Sequence, residues 1–208
     1  QGLSPAVADA APSRSAILEL RDERQAMVEG HAFLDEKCLA IAAGIVKELA
    51  RYLALERELH EASRAAARAL GAAVARHGLE ELRLHPVPAG DSRRLAVETR
   101  PVMGVRIVTA SLAGERPARV PPAWGSPEAN ACADAFEALL EIALQAGAAA
   151  ANLERLSEEY RRSIRRARAL DDVLIPEAGR ELAAMETGLE DLEREDAIAM
   201  RLGLAPGG

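Results

Sequence analysis

The sequence predicts an all-α protein: a long antiparallel two-helix coiled coil, or helical hairpin, with a small β-hairpin inserted in the middle. Three observations point there. Apolar or small residues recur at alternating three- and four-residue steps at Ile17, Leu20, Met27, Leu34, Cys38, Ile41, Ile45, Tyr52, Leu55, Leu59, Ala62, Ala66, Ala69 and Ala73. The rhythm returns at Cys132, Ala135, Leu139, Ile142, Ala146, Ala149, Leu153, Leu156, Tyr160, Ala167, Leu170 and Leu174. The 208 residues are 49% apolar but only 2% aromatic, and Ala, Glu, Leu and Arg dominate, as in long helices rather than conventional cores. A seam kept in phase this long wants a partner helix along its length. The expected result is a rod, suited to transmitting force, spacing or scaffolding and poorly suited to an enzyme pocket.

Residues 1–12 read as a disordered leader, without the basic start and apolar run of a signal peptide. Residues 13–78 form the first arm. Ser13 or Ser15, just after Pro12, caps it, and Gly78 stops it. At 1.5 Å per residue this arm approaches ~100 Å. Gly30, Gly44 and Gly71 interrupt it, each weakening the helix by roughly 1 kcal/mol relative to Ala. Residues 79–127 form the insert. Leu82–Val87, Leu95–Glu98 and Val102–Val108 alternate like short strands, which predicts a β-hairpin or a three-stranded patch. A Pro-rich connector with Trp124 follows. Residues 128–203 form the second arm, capped near Ser126-Pro127-Glu128. Residues 204–208 read as a frayed tail.

Pro176 lies inside the second arm, where an interior Pro removes a hydrogen bond and kinks a helix. The seam also takes an extra four-residue step there, through 174, 178 and 182, before Met185, Leu189, Leu192 and Ala199 restore the stripe. Antiparallel pairing about the insert sets Ile45 near Tyr160 and Ala73 near Cys132. Arg24, His31 and Glu48 are polar residues within the seam, a device that sets register.

A net charge of −7 argues against general nucleic-acid binding. No run approaches the ~20 apolar residues of a membrane span, so no direct membrane insertion is expected. Cys38 and Cys132 lie far apart along the predicted pairing, which fits a reduced cytoplasmic setting. No His, Cys or carboxylate stands at metal spacing beside His31, and His60, His77 and His85 show no motif. No catalytic residue, metal or cofactor is expected.

Five separated segments carry a family resemblance. Arg161-Arg162-Ser163-Ile164-Arg165-Arg166-Ala167-Arg168-Ala169-Leu170-Asp171-Asp172-Val173-Leu174-Ile175-Pro176 resembles the C-terminal motif of the D subunit of the V/A-type rotary ATPases. In that motif a pair of Arg precedes Val-Asn-Ala-Leu-Glu, apolar residues and Ile-Pro; here Arg168 stands for the Asn and Asp171 for the Glu. Leu189 and Leu192-Glu193-Arg194-Glu195 resemble the segment that follows it. Arg14–Arg21 is similar to the family's opening, Gly30-His31-Ala32-Phe33-Leu34 with Lys37 to its Gly-His segment, and Val102-Met103-Gly104-Val105 to its Val-Met-Gly-Val strand.

The resemblance implies a non-catalytic central-stalk subunit, the rotor shaft of a V-type or A-type ATPase. It implies ATP synthesis or hydrolysis in a three-fold head, coupled to proton or sodium transport through a membrane ring. Its implied partners are the A and B head subunits, the F subunit of the rotor and the socket subunit of the ring, with a cytoplasmic, peripheral location on the inner face of the membrane. Nucleotide chemistry would belong to the other subunits, and no Gly-rich phosphate loop with Lys and Ser/Thr occurs here. Rival readings are a free-standing coiled-coil scaffold or tether, a basic-patch adaptor, and a diverged F-type γ-like shaft, although about fifty residues are too few for that family's α/β domain.

Two sets of residues are candidates for partner binding. Arg161, Arg162, Arg165, Arg166 and Arg168 wrap more than one helix face. They are either a basic belt meeting acidic loops of the head ring or a solvated face balanced by Glu158, Glu159, Asp171 and Asp172. Pro176 joins them, as a bend that gives the shaft asymmetry or as a tolerated kink. In the insert, Val102, Met103, Gly104 and Val105 are a contact strand for a partner or the closure of the hairpin's own small core. Trp124 is a partner anchor or a cover for the end of the helical hairpin.

Overall fold

A computed structural model describes residues 13–84, 93–115 and 126–203. The protein is all-α with a small β insert. Helix α1 spans Arg14–Leu82, strand β1 Arg94–Val102, strand β2 Val105–Ala113 and helix α2 Pro127–Ala169. A π-helical turn at Leu170–Leu174 then leads into helix α3, Ile175–Arg201. The leader 1–12, the tail 204–208, His85–Val87 and Trp124 lie outside the described residues.

The helix ends are built by the residues that the sequence offers. Ser13 Oγ accepts the Ala16 N–H at 3.3 Å, which resolves the first cap in favour of Ser13 over Ser15. Ser126 Oγ accepts the Ala129 N–H at 3.1 Å, and Pro127 takes the first helical position, where a missing N–H is harmless. Gly78 leaves helical geometry at φ +72°, ψ 162°, and a last turn to Leu82 follows it. Leu82 therefore ends a helix and Arg83-Leu84 form a turn, where alternation had suggested a strand. Among the described residues the sheet has two strands.

Every apolar seam position named above, from Ile17 to Ala73 and from Cys132 to Leu174, is buried or half-buried, whereas Arg24 and, further on, Leu192 are exposed. The chain divides into two compact units. In the unit Ala40–Tyr160, Ile41, Leu156 and Val105 form one cluster, flanked by Ile45, Ile107 and Tyr160. Ile45 and Tyr160 thus meet on one cluster, as antiparallel pairing requires. A second cluster sets the small Ala146 and Ala149 against Leu55, flanked by Tyr52 and Leu59. In the unit of Gln1–Leu39 with Arg161–Gly208, Ile17 and Leu20 pack on Met185. Arg14 and Arg21 reach across to Glu193 and Glu186 at 2.7 and 2.5 Å. Gly30 and Gly44 face Leu170 and Leu156 at ordinary contact distance for a Cβ, so neither needs to be glycine for space.

The second arm is not one regular helix. From Leu170 to Leu182 the seam takes twelve residues, where three α-helical turns take about 11. The π-turn absorbs the extra residue: the Ile175 N–H donates to the Leu170 carbonyl, one residue further back than in an α-helix. It also places Pro176 at the start of α3, where its ring escapes the carbonyl it would meet in an uninterrupted helix. The interior Pro and the extra seam step therefore meet in one feature, the π-turn.

Candidate functional site

The hairpin is fixed to the helices from the backbone up. β1 and β2 pair antiparallel, with Val102 opposite Val105 around a two-residue turn of Met103 and Gly104. Both turn residues have positive φ, 49° and 81°, as the right-handed twist of a tight hairpin demands. Val102–Val105 is thus the tip of the hairpin and not a strand. Met103 sits in the left-handed region without the excuse of glycine or asparagine, and its side chain is 55% exposed.

Pairs in an antiparallel ladder alternate between hydrogen-bonded and non-bonded. Counting from the bonded Val102–Val105 pair, Pro101–Arg106 and Thr99–Val108 are non-bonded. Pro101 therefore lacks an N–H that the ladder does not use. Val108 directs its N–H and C=O away from β1, and Asn152 of α2 takes both. The Val108 N–H donates to Asn152 Oδ1 at 2.8 Å, and Asn152 Nδ2 donates to the Val108 carbonyl at 2.9 Å. The second proton of Nδ2 goes to Glu48 Oε1 at 3.1 Å. Asn152 has no exposed surface, so this amide ties β2, α1 and α2 together. Glu48, a polar break in the seam, is its acceptor, and Arg51 approaches the same carboxylate at 3.5 Å. A second anchor joins Arg93, just before β1, to Glu137 of α2, both largely buried.

Sequence reasoning passed over Asn152. A signal was present: Asn152 lies three residues after Ala149 and four before Leu156, both buried. It also passed over His77, whose Nε2 lies 2.5 Å from Ser126 Oγ while Nδ1 faces Glu81 at 3.7 Å. Ser126, His77 and Glu81 have the order of a nucleophilic triad, but Ser126 is 1% exposed and its Oγ already caps α2. The trio closes the neck of the insert.

Arg161, Arg162, Arg165, Arg166 and Arg168 are all exposed on the last turns of α2, while Ser163 and Ala167 between them are buried. Among the described residues none of the five shows an ion-pair partner. Pro176 is exposed in the first turn of α3. Val105 is buried under the hairpin, whereas Met103 and Gly104 face outward. The candidate residues thus form two separate surfaces, each within its own unit. Cys38 and Cys132 are free thiols. Among the described residues no cluster of His, Cys, Asp and Glu could hold a metal, and no helix is long and apolar enough to cross a membrane.

Comparison with known proteins turns this architecture into a family. A family model described as the D subunit of ATP synthase matches residues 16–202. The chain belongs to that family. It is 31% identical over 197 residues to the V-type ATP synthase D subunit of Anaeromyxobacter dehalogenans, covering 92% of this chain and 94% of the relative. It is 26% identical over 203 residues to the A-type ATP synthase D subunit of Pyrococcus furiosus, with 95% and 94% covered. The match spans both helical arms and the insert.

Proposed function

We propose that this chain is the non-catalytic central-stalk subunit of a V/A-type rotary ATPase. It turns within a head of A and B subunits and couples ATP synthesis or hydrolysis there to proton or sodium transport through the membrane ring. The F subunit of the rotor and the socket subunit of the ring are its other partners, and it sits on the cytoplasmic face of the membrane without entering it. The observation that carries this reading is the antiparallel seam itself. In each unit apolar residues of α1 interlock with those of the returning helices, which gives the stiffness that torque transmission requires. The absence from the sequence of a phosphate-cradling loop supports the assignment of nucleotide chemistry to other subunits.

The Arg belt is the proposed head contact. Unpaired exposed guanidiniums keep their charge and forked donors available for carboxylates of a surrounding ring. Pro176 and the π-turn beside it make this part of the arm unlike an even coiled coil, which supplies the asymmetry a shaft needs. The hairpin tip at Val102, Met103, Gly104 and Val105 is the proposed contact for rotor partners or for modulation of activity.

Native mass spectrometry of the chain mixed with the head subunits and the F subunit of the same organism tests the proposal. One copy per three-fold head, with the F subunit attached, is the expected result. A stable self-dimer that ignores the head would replace it with the scaffold reading. Arg161→Ala, Arg165→Ala and Arg168→Ala together should leave unfolding within about 0.5 kcal/mol of the parent, yet weaken head binding and make it less salt-sensitive.

A further inference from the structure

β1 has one edge toward β2 and one edge away from it. Among the described residues β1 pairs only with β2. By the ladder count, Leu95, Val97 and Thr99 occupy non-bonded pairs, so their N–H and C=O groups point away from β2 into solvent. Pro101 bounds this run at the tip end because it has no N–H to offer. The opposite edge is covered, since Asn152 has taken the groups of Val108. One edge of the hairpin is thus capped and the other is unpaired among the described residues, and natural proteins seldom leave such an edge without a use or a guard.

The two faces beside the open edge differ in chemistry. One face carries Leu95 and Val97, 57% and 53% exposed. The other overhangs α1 across a cleft of about 550 Å³, lined by Lys47, Glu48, Arg51, Glu98, Arg100 and Ile107 among others. Glu48 and Arg51 serve the Asn152 clasp. Among the described residues neither Lys47 and Arg100 nor Glu98 has an ion-pair partner, so outside the clasp the cleft sets two cations against one carboxylate and is net positive.

We infer that the β1 edge accepts an extended segment of another protein as a third strand, with acidic side chains at alternate positions. Side chains of an added strand alternate between the two faces of the sheet. One set enters the cleft, where carboxylates meet Lys47 and Arg100. The other set lies beside Leu95 and Val97, where apolar groups fit. The backbone groups of Leu95, Val97 and Thr99 set the register.

The probe is a fluorescent, end-blocked peptide of alternating Glu and Val, about seven residues long, added to the full chain, with a Lys/Val peptide as control. Binding of the Glu/Val peptide with slowed amide exchange at Val97 and Thr99 is the expected result. Val97→Pro deletes an outward N–H that the β1–β2 ladder does not use, just as Pro101 already does, and should lower binding about tenfold while circular dichroism stays unchanged. Lys47→Glu with Arg100→Glu, an independent surface change, should turn the preference toward the Lys/Val peptide by about tenfold. Equal binding of the two peptides, or binding indifferent to both variants, would overturn the inference. So would a β1-to-β1 dimer of this chain that the peptide fails to disperse.

Discussion

Asn152 stands to Val108 as a third strand would: its amide oxygen and nitrogen accept from and donate to the same residue's backbone, at 2.8 and 2.9 Å. A helix cannot continue a sheet with its own backbone, because its N–H and C=O groups are spent on itself. A side-chain amide carries the same donor and acceptor on one short arm. One residue of α2 thereby substitutes for a strand, and Glu48 of α1 holds it in place.

Replacing Asn152 with Leu should therefore cost roughly 2–4 kcal/mol, because the N–H and C=O of Val108 lose their partners where Asn152 now excludes water. Asn152→Asp should not rescue it, since it keeps one acceptor, loses both donors and sets a carboxylate against Glu48. Urea unfolding measures the loss. Amide exchange at Val108 should rise in both variants more than at Leu156.

A single-residue deletion inside a helix normally turns everything after it by about 100°. At the π-turn it should not. Removing Asp172 shortens Leu170–Leu182 to the length of about three α-turns and leaves Ala178, Leu182 and Met185 facing inward. Combined with Pro176→Ala, which removes the ring clash of a regular helix, this deletion should change stability by less than about 1 kcal/mol. Deleting Arg155 instead should misplace Leu156 and Ala167 and cost more than about 3 kcal/mol by thermal melting.

Met103 holds a positive φ that Asn or Gly adopts at less cost. Met103→Asn should stabilise the hairpin by about 1 kcal/mol. A partner contact at the tip predicts that the more stable variant is the poorer one in an assembled complex, measured by binding to the head or to the F subunit.

Burial pushes the Cys38 thiol up from its ordinary value, the nearby Asp35 adds to the push, and Lys37 opposes it. The thiolate is the reactive form, so Cys38 should alkylate with iodoacetamide more slowly than a free thiol at mildly alkaline pH. The folded-state value lies above the unfolded one. The contribution of Cys38 to stability is thus fully present below the unfolded value and lost as pH rises through the folded one. Cys38→Ala should flatten the alkaline side of the stability profile, as read by denaturation across pH.

The seam was legible because period is a property of sequence, and its apolar positions up to Leu189 turned inward, while Leu192 stayed exposed. Helix starts were legible for the same reason, since Ser13 and Ser126 act locally, whereas α1 runs past Gly78 to Leu82. The hairpin turn was not. Met103-Gly104 sits inside an apolar alternation that reads equally well as a strand, and only pairing with β1 reveals the bend. The π-turn was half legible: the extra seam step and Pro176 were visible, but not that one local geometry satisfies both. Asn152 and His77 escaped because their partners, Val108 and Ser126, lie 44 and 49 residues away in sequence. Of the Arg cluster, only the exposure is observed.

The contacts that close the insert also order the chain's assembly. Sequence separation across the paired helices rises from 49 at His77–Ser126 through 104 at Glu48–Asn152 to 179 at Arg14–Glu193. Formed alone, the last contact would confine the longest loop; formed after its neighbours, it adds almost none. Within the unit Ala40–Tyr160 the cheapest route to the native state is a zipper that starts at the neck and runs toward Glu48–Asn152. Within the unit of Gln1–Leu39 with Arg161–Gly208, the Arg14–Glu193 pair closes the longest loop and is the first to open under heat or load.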